Sequence, residues 1–204
     1  MREFGLEVIP LPRDDGNPDS CFIENTAVIH NGRTLICRME EDSRRGEEEV
    51  VMEFLKDYML VKKAEAPATV EGGDVIHLPS RLIGGVTERT NIGGVKQMRE
   101  WLNVDVIEAP KIVHLKSHVT YLGRGMAVST RGYAKHTLEG LEVIVVPEEE
   151  YSANTLAIAD VVLMPNKYHR SHELVREAGF EVRPIDVSEF TKCEGAITCL
   201  SLLF

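Results

Sequence analysis

One pattern of apolar and polar positions recurs along the chain. It reads "GLEVIPLP" (Gly5 to Pro12), "NVDVIEAP" (Asn103 to Pro110), "GLEVIVVP" (Gly140 to Pro147) and "GFEVRPID" (Gly179 to Asp186), with a degenerate copy, "DYMLVKKAEAP", ending at Pro67. Each is a β-branched run closed by Pro or Asp, which predicts a short strand entering a loop. The recurrence, at roughly forty residues, lies in the range of repeat and propeller architectures. Amphipathic stretches precede several copies. In "RRGEEEVVMEFLKDYM" the residues Val51, Met52, Leu55, Tyr58 and Met59 fall on one helical face. "NIGGVKQMREWL" and "YHRSHELVREAG" predict two more helices, the second with Gly179 as C-cap. Paired apolar runs lie between: "IENTAVI-HNGR-TLICR", turning at Asn31-Gly32, then "GDVIHL-PS-RLIGGV" and "TLAIAD-VVLMP". The predicted unit is strand, strand, helix, strand (ββαβ), in an α/β fold with no linker or low-complexity break, so residues 1–204 are expected to form a single domain.

Composition narrows the function classes. With 204 residues, 43% hydrophobic and 27% charged, the chain can bury a sizeable core. A net charge of -10 argues against nucleic acid as a partner and mildly favours a cationic ligand. No apolar run is long enough to span a membrane and the N-terminus has no signal-peptide pattern, so a cytoplasmic location is expected. Cys21, Cys37, Cys193 and Cys199 have neither CxxC nor zinc-ribbon spacing and are expected as thiols.

Polar residues gather in the loops. "DDGNPDSCFIENTAV" sets Asp19 and Glu24 about Phe22, and "DSRRGE" offers Arg44 and Arg45 before a helix. "VEGGDV" holds Glu71 and Asp74 about a Gly pair, "GVTERTN" carries Arg89, and "VHLKSHVTYLG" has His114 and His118. A Glu inside an otherwise apolar stretch, such as Glu71, requires a partner. His114 and His118 have the spacing of two zinc ligands on a helix, but their neighbours are strand-like and no third ligand joins them, so no metal is expected. His169 and His172 are expected on a solvated helix face. Cys199, in the apolar tail "EGAITCLSLLF", reads as part of a last buried strand. A thiol, an imidazole and scattered carboxylates permit nucleophilic chemistry on a cation without requiring it.

Taken in order, "PDSCFIENTAV", "SRRGE", "VEGGDV", "ERTN", "HLKS" and "KCEGAITCLS" resemble dimethylarginine dimethylaminohydrolase, in the guanidino-group modifying superfamily with arginine deiminases and amidinotransferases. The resemblance spans nearly the whole chain and implies a pseudo-fivefold α/β propeller of ββαβ modules with a central active site. It implies Cys199 as nucleophile, His114 as general acid and base, and Glu71 as the residue holding His114. Asp19 and Asn25 would lie near the guanidinium and Glu24 near the amino-acid end. Arg44 and Arg89 would take the substrate carboxylate, Cys193 would offer a backbone carbonyl, and Phe22 would line the site. The expected substrate is a cationic guanidine, foremost an Nω-methylated arginine giving citrulline and an amine, with no cofactor. Arginine deimination, amidino transfer, or a non-catalytic binding or oligomer-forming role are the alternatives. Asn25 stands where the family commonly has Asp. The family also has a strand and helix, with a substrate-covering loop, before the segment matching "FGLEVIPLP". The first module is therefore expected to be incomplete: either the natural chain starts further upstream, or the open edge is covered by a homodimer or higher oligomer.

Overall fold

The structure, a computed structural model, describes residues 1–109, 111–130, 133, 138, 140–147, 149 and 151–204. Pro110, the end of one predicted strand segment, lies outside them.

Each of four sheets has three strands in chain order. The first comprises β1 (Ala27–His30), β2 (Arg33–Ile36) and β3 (Leu60–Lys63), and the second β4 (Val75–His77), β5 (Leu82–Val86) and β6 (Val104–Glu108). The third comprises β7 (Val119–Gly123), β8 (Met126–Thr130) and β9 (Glu142–Val146), and the fourth β10 (Leu156–Ile158), β11 (Val161–Pro165) and β12 (Glu181–Ile185). In every sheet the middle strand pairs antiparallel with the first and parallel with the third. Parallel return needs a crossover. It is supplied by α1 (Glu47–Leu55) in the first sheet, α2 (Ile92–Trp101) in the second and α3 (His169–Glu177) in the fourth.

The hairpins follow the turn chemistry. Asn31 and Gly32 both have positive φ (49° and 72°), as a two-residue turn of the strands' own twist demands. Arg124 and Gly125 repeat this between β7 and β8 (54° and 74°), a pair the hydrophobic pattern alone did not mark.

Strands buried on both faces tie the modules together. In β1, Val28 packs in one apolar cluster and Ala27 and Ile29 in another; in β2, Leu35 and Ile36 divide in the same way. Val75 and Leu82 share the first cluster with α2 residues Val95 and Met98, while Ile76 and Ile83 join Leu115, Val119 and Ala127 of the next module. The period of two thus puts successive residues into successive inter-module cores, and the strands read as nearly continuous apolar runs.

Three expectations are corrected. Gly5 to Pro12 forms no strand: no strand among the described residues lies alongside to pair with it, and it packs instead through Leu6 and Leu11. The first helix stops at Leu55, so Tyr58 and Met59 follow it; the chain must turn there for Leu60 N–H to reach the carbonyl of Gly32 and start β3. His172 is not solvated. It is 2% exposed, on the α3 face with Ser171 and Val175, and its Nε2 lies 2.8 Å from the carbonyl oxygen of Pro165.

Candidate active site

The first strands of three modules are entered through equivalent tight turns, and these turns meet. Ile23–Thr26 precedes β1, Gly72–Asp74 precedes β4 and Leu115–Ser117 lies just before β7, all as single 3₁₀ turns. The C-terminal turn Thr198–Leu200 packs on Ile23–Thr26, which also packs on Gly72–Asp74, and that in turn on Leu115–Ser117. Such close approach requires glycine. A Cβ on Gly72 would sit 2.0 Å from the carbonyl oxygen of Glu24, and one on Gly73 2.8 Å from Asn25 Oδ1 and 2.9 Å from the His114 ring.

Glu71 is the hub. It is 1% exposed, and its Oε2 lies 2.8 Å from His114 Nε2 and 3.8 Å from Arg44 Nη1. Burial works against both charges of the Glu71–His114 pair, and their mutual bond, with Asp74 near the ring and Arg44 near the carboxylate, outweighs it. His114 is therefore held above the usual histidine range and Glu71 below the usual carboxylate range. The pair is thereby biased toward imidazolium and carboxylate.

Arg44 is buried and donates to Glu47 from Nε at 3.2 Å and from Nη2 at 2.7 Å. Arg45 turns the other way, donating to the carbonyls of Met39 and Glu40. Arg89 pairs with Glu41 and, at 3.5 Å, with Glu40. Both Arg44 and Arg89 act electrostatically on Glu71, so the two guanidinium groups stand at its side of the site. Asp19 is half-buried and its carbonyl lies 3.5 Å from Arg44 Nη2.

Asn25 is buried and its Oδ1 accepts from Gly73 N–H at 3.0 Å. Glu24 is buried, has Lys116 Nζ at 2.6 Å and acts electrostatically on Cys199. Phe22 is buried, edge-on to Phe190, and pressed so closely that a Cβ on Gly195 would fall 2.0 Å from its ring. Cys193 is exposed on the same segment, within electrostatic reach of Cys21. His118 takes no part in a metal cluster; none is formed among the described residues.

Cys199 corrects one expectation. It lies in a 3₁₀ turn, not a strand, because the chain must bend there to bring the thiol between its neighbours. The side chain is 7% exposed and accepts from Ala196 N–H at 3.5 Å. Burial first, then the charge of Glu24, pushes the thiol up to about 11.

Residues to which sequence reasoning gave no role complete the site. Asp74 is fully buried and accepts from Thr87, Thr90 and the backbone N–H of Leu115, next to His114. Asn154 donates to Lys116 O and Thr198 Oγ1 and accepts from Thr198 N–H, all at 3.1 Å, which fixes the turn that carries Cys199. The spacing of "GGDV" and "ERTN" held the signal for Asp74 and Thr90; nothing local marks Asn154.

A family model described as N,N dimethylarginine dimethylhydrolase, eukaryotic, matches residues 1–145. The N(G),N(G)-dimethylarginine dimethylaminohydrolase of Pseudomonas aeruginosa is 32% identical, over 100% of this chain and 84% of its own length. The chain belongs to the dimethylarginine dimethylaminohydrolase family. A solved structure of a dimethylarginine dimethylaminohydrolase variant in adduct with S-methyl-L-thiocitrulline superposes with a TM-score of 0.94 at 31% identity, covering 100% of this chain and 84% of that one. A mutant of the Pseudomonas aeruginosa enzyme complexed with citrulline gives 0.88 at 32%, covering 94% and 78%. The α/β propeller of that family is the fold of this chain, here as four described modules.

Proposed function

We propose that this chain hydrolyses the guanidino C–N bond of Nω-methylated arginine, giving citrulline and methylamine or dimethylamine through a covalent intermediate on Cys199. The observation that supports the reading is a chain of contacts: the Cys199 turn packs on the turn that bears Asn25, that turn packs on Gly72–Asp74, and this on Leu115–Ser117, with Glu71 and His114 paired at the entries of the last two. A guanidinium is a planar fork of donors that stays charged at any physiological pH, and the acceptors Asp19 and Asn25 suit it. Arg44 and Arg89 suit the substrate carboxylate, while Phe22 and the backbone of Cys193 close the outer side.

The resting thiol is a poor nucleophile at neutral pH because burial and Glu24 hold it protonated. A bound guanidinium supplies the missing positive charge, so the substrate itself favours the thiolate, and the thiol proton passes to solvent. The sulfur then adds to the central guanidino carbon. His114, in its imidazolium form, gives its proton to the departing nitrogen through the ring nitrogen that Glu71 leaves free, and the C–N bond breaks to release the amine. What remains on sulfur is a thiouronium. Neutral His114 next takes a proton from water, whose oxygen adds to the same carbon; the C–S bond breaks and citrulline leaves. Each step uses only side chains of this chain and water.

The test is a panel of guanidines (asymmetric dimethylarginine, monomethylarginine, arginine, agmatine) assayed for both ureido product and released amine. Equal amounts of citrulline and dimethylamine from dimethylarginine support the reading. Turnover of arginine alone, with ammonia released, would replace it with deimination.

A further inference from the structure

Asp74 is fully buried and takes no part in the proton transfers, yet its bonds lead to three residues that do the work of the site. Oδ2 accepts from the hydroxyl of Thr87 at 2.8 Å and from that of Thr90 at 2.6 Å, and Oδ1 accepts from Leu115 N–H at 3.0 Å. Each threonine passes the contact on. Thr90 Oγ1 accepts from the backbone N–H of Glu71 at 3.0 Å, and Thr87 Oγ1 from those of Arg89 and Thr90, both at 3.1 Å. Leu115 directly follows His114.

The polarity of these bonds suits a carboxylate and nothing else. A threonine has one O–H, and both hydroxyl oxygens already receive backbone N–H groups, so their hydrogens turn to Asp74. Asp74 thus accepts three bonds and donates none. With asparagine, an oxygen facing the threonines sets the amide NH2 against Leu115 N–H, and the reverse leaves both hydroxyl hydrogens without an acceptor. Burial of the charge is unfavourable and lifts the Asp74 carboxyl to about 6, with the charge of His114 as the strongest opposing influence. Asp74 in turn favours the imidazolium, as Glu71 does, while Arg89 opposes it. A carboxylate set here only to fill the core would be costlier than an apolar side chain.

We propose that Asp74 is a positioning residue that works through two separate arms: Thr90 fixes Glu71, and with it His114, while Thr87 fixes Arg89. The first arm serves the reacting carbon and the second the substrate carboxylate. Those two assignments rest on the hydrolase reading, whereas the link from Asp74 to Glu71 and Arg89 does not.

The test exchanges each hydroxyl for a methyl. With dimethylarginine as substrate, Thr90→Val should lower kcat about tenfold and leave KM within about threefold, the effect of a bond that serves the chemical step. Thr87→Val should raise KM about tenfold and leave kcat within about threefold, the effect of a bond that serves binding. Asp74→Asn should show both changes. Serine at either threonine position keeps the hydroxyl and should bring both constants within about threefold of wild type. Nω,Nω-dimethylagmatine lacks the carboxylate, so its kcat/KM should fall about tenfold with Thr90→Val and stay within about threefold with Thr87→Val. A general loss of packing would move both constants with both substrates. Equal effects of the two valine variants, failure of serine to rescue, or unchanged constants in Asp74→Asn would each overturn the proposal. Should Thr90→Val not fold, the Thr87 variants with the two substrates decide alone. His114 is also followed without turnover, by NMR of isotope-labelled histidine, its signal identified by its loss in His114→Gln. Thr90→Val should lower its pKa by roughly one unit, and Thr87→Val should not lower it. No fall in Thr90→Val would overturn the link. A wild type that turns over no guanidine, with that fall observed, would refute the hydrolase reading and leave the positioning role of Asp74 standing.

Discussion

Asn25 stands where the family resemblance implies an aspartate, and the structure shows which bond either side chain would make. Its Oδ1 receives Gly73 N–H, a bond an aspartate makes equally well, so the backbone junction does not depend on the choice. What Asn gives up is charge. A hydrogen bond to an ionised partner is worth about 1.5–3 kcal/mol, and a tenfold affinity change about 1.4 kcal/mol. Asn25→Asp should therefore tighten binding of dimethylarginine to the inactive Cys199→Ser protein by roughly ten- to a hundredfold in calorimetry. Unchanged or weaker binding would mean that the amide is matched to a different group. Cys199 carries a pH signature of its own. With the thiol pushed up to about 11, alkylation by neutral iodoacetamide should keep rising well beyond pH 9. A cationic haloacetamidine, bringing its own positive charge, should already react fast at neutral pH. Equal profiles for the two reagents would remove substrate-assisted thiolate formation from the mechanism. Sequence pattern alone favoured a buried structural cysteine here and permitted nucleophilic chemistry without requiring it; the family resemblance singled it out, and the turn that carries it is a tertiary feature held by Asn154.

At the scale of elements, the candidate site is a set of 3₁₀ turns within the loops where the polar motifs gather. Strands, hairpins and helices were legible because apolar periodicity and Asn-Gly chemistry are local. Gly5 to Pro12 misled for the same reason: its pattern is that of a strand, but a strand exists only beside a partner. The turns were visible as polar motifs, but their convergence depends on packing between modules. Asp74 knits one of them, joining Thr87 and Thr90 to the Leu115 backbone beside His114. Burial raises its carboxyl from 3.8 to about 6, so the folded state holds this proton more tightly than the unfolded one. The stability that proton gives is full below pH 3.8 and is lost as pH rises through about 6. In denaturant unfolding, wild type should lose on the order of 2 kcal/mol relative to Asp74→Asn between pH 4 and 6. The hydrogen bonds the amide cannot make set a constant offset, not the slope. A flat difference across that range would show that Asp74 is ionised throughout.

For the whole molecule, the exposed apolar residues Val8, Ile9, Tyr58, Leu203 and Phe204 all border one groove. The tail and α1 meet there through Phe54, Tyr58 and Phe204, with ring centroids 4.9–6.4 Å apart. A continuous apolar surface of this kind favours contact with a second copy. Light scattering should detect an oligomer that persists on dilution, and a Phe204→Glu, Tyr58→Glu double variant should be monomeric; a wild-type monomer at all concentrations would contradict this. Charge, length and repeat predicted the class of molecule from sequence, whereas this groove depends on two distant segments lying side by side. The central claim, that Cys199 forms a bond to the guanidino carbon, is tested most directly by the mass of the intact protein. Dimethylarginine mixed with enzyme and quenched in acid during turnover should add the mass of citrulline less one water to the protein, mapped by peptide digestion to Cys199. That adduct should be absent from Cys199→Ser. Turnover to citrulline with no adduct on Cys199 under any quench time, or with full rate in Cys199→Ser, would contradict the account.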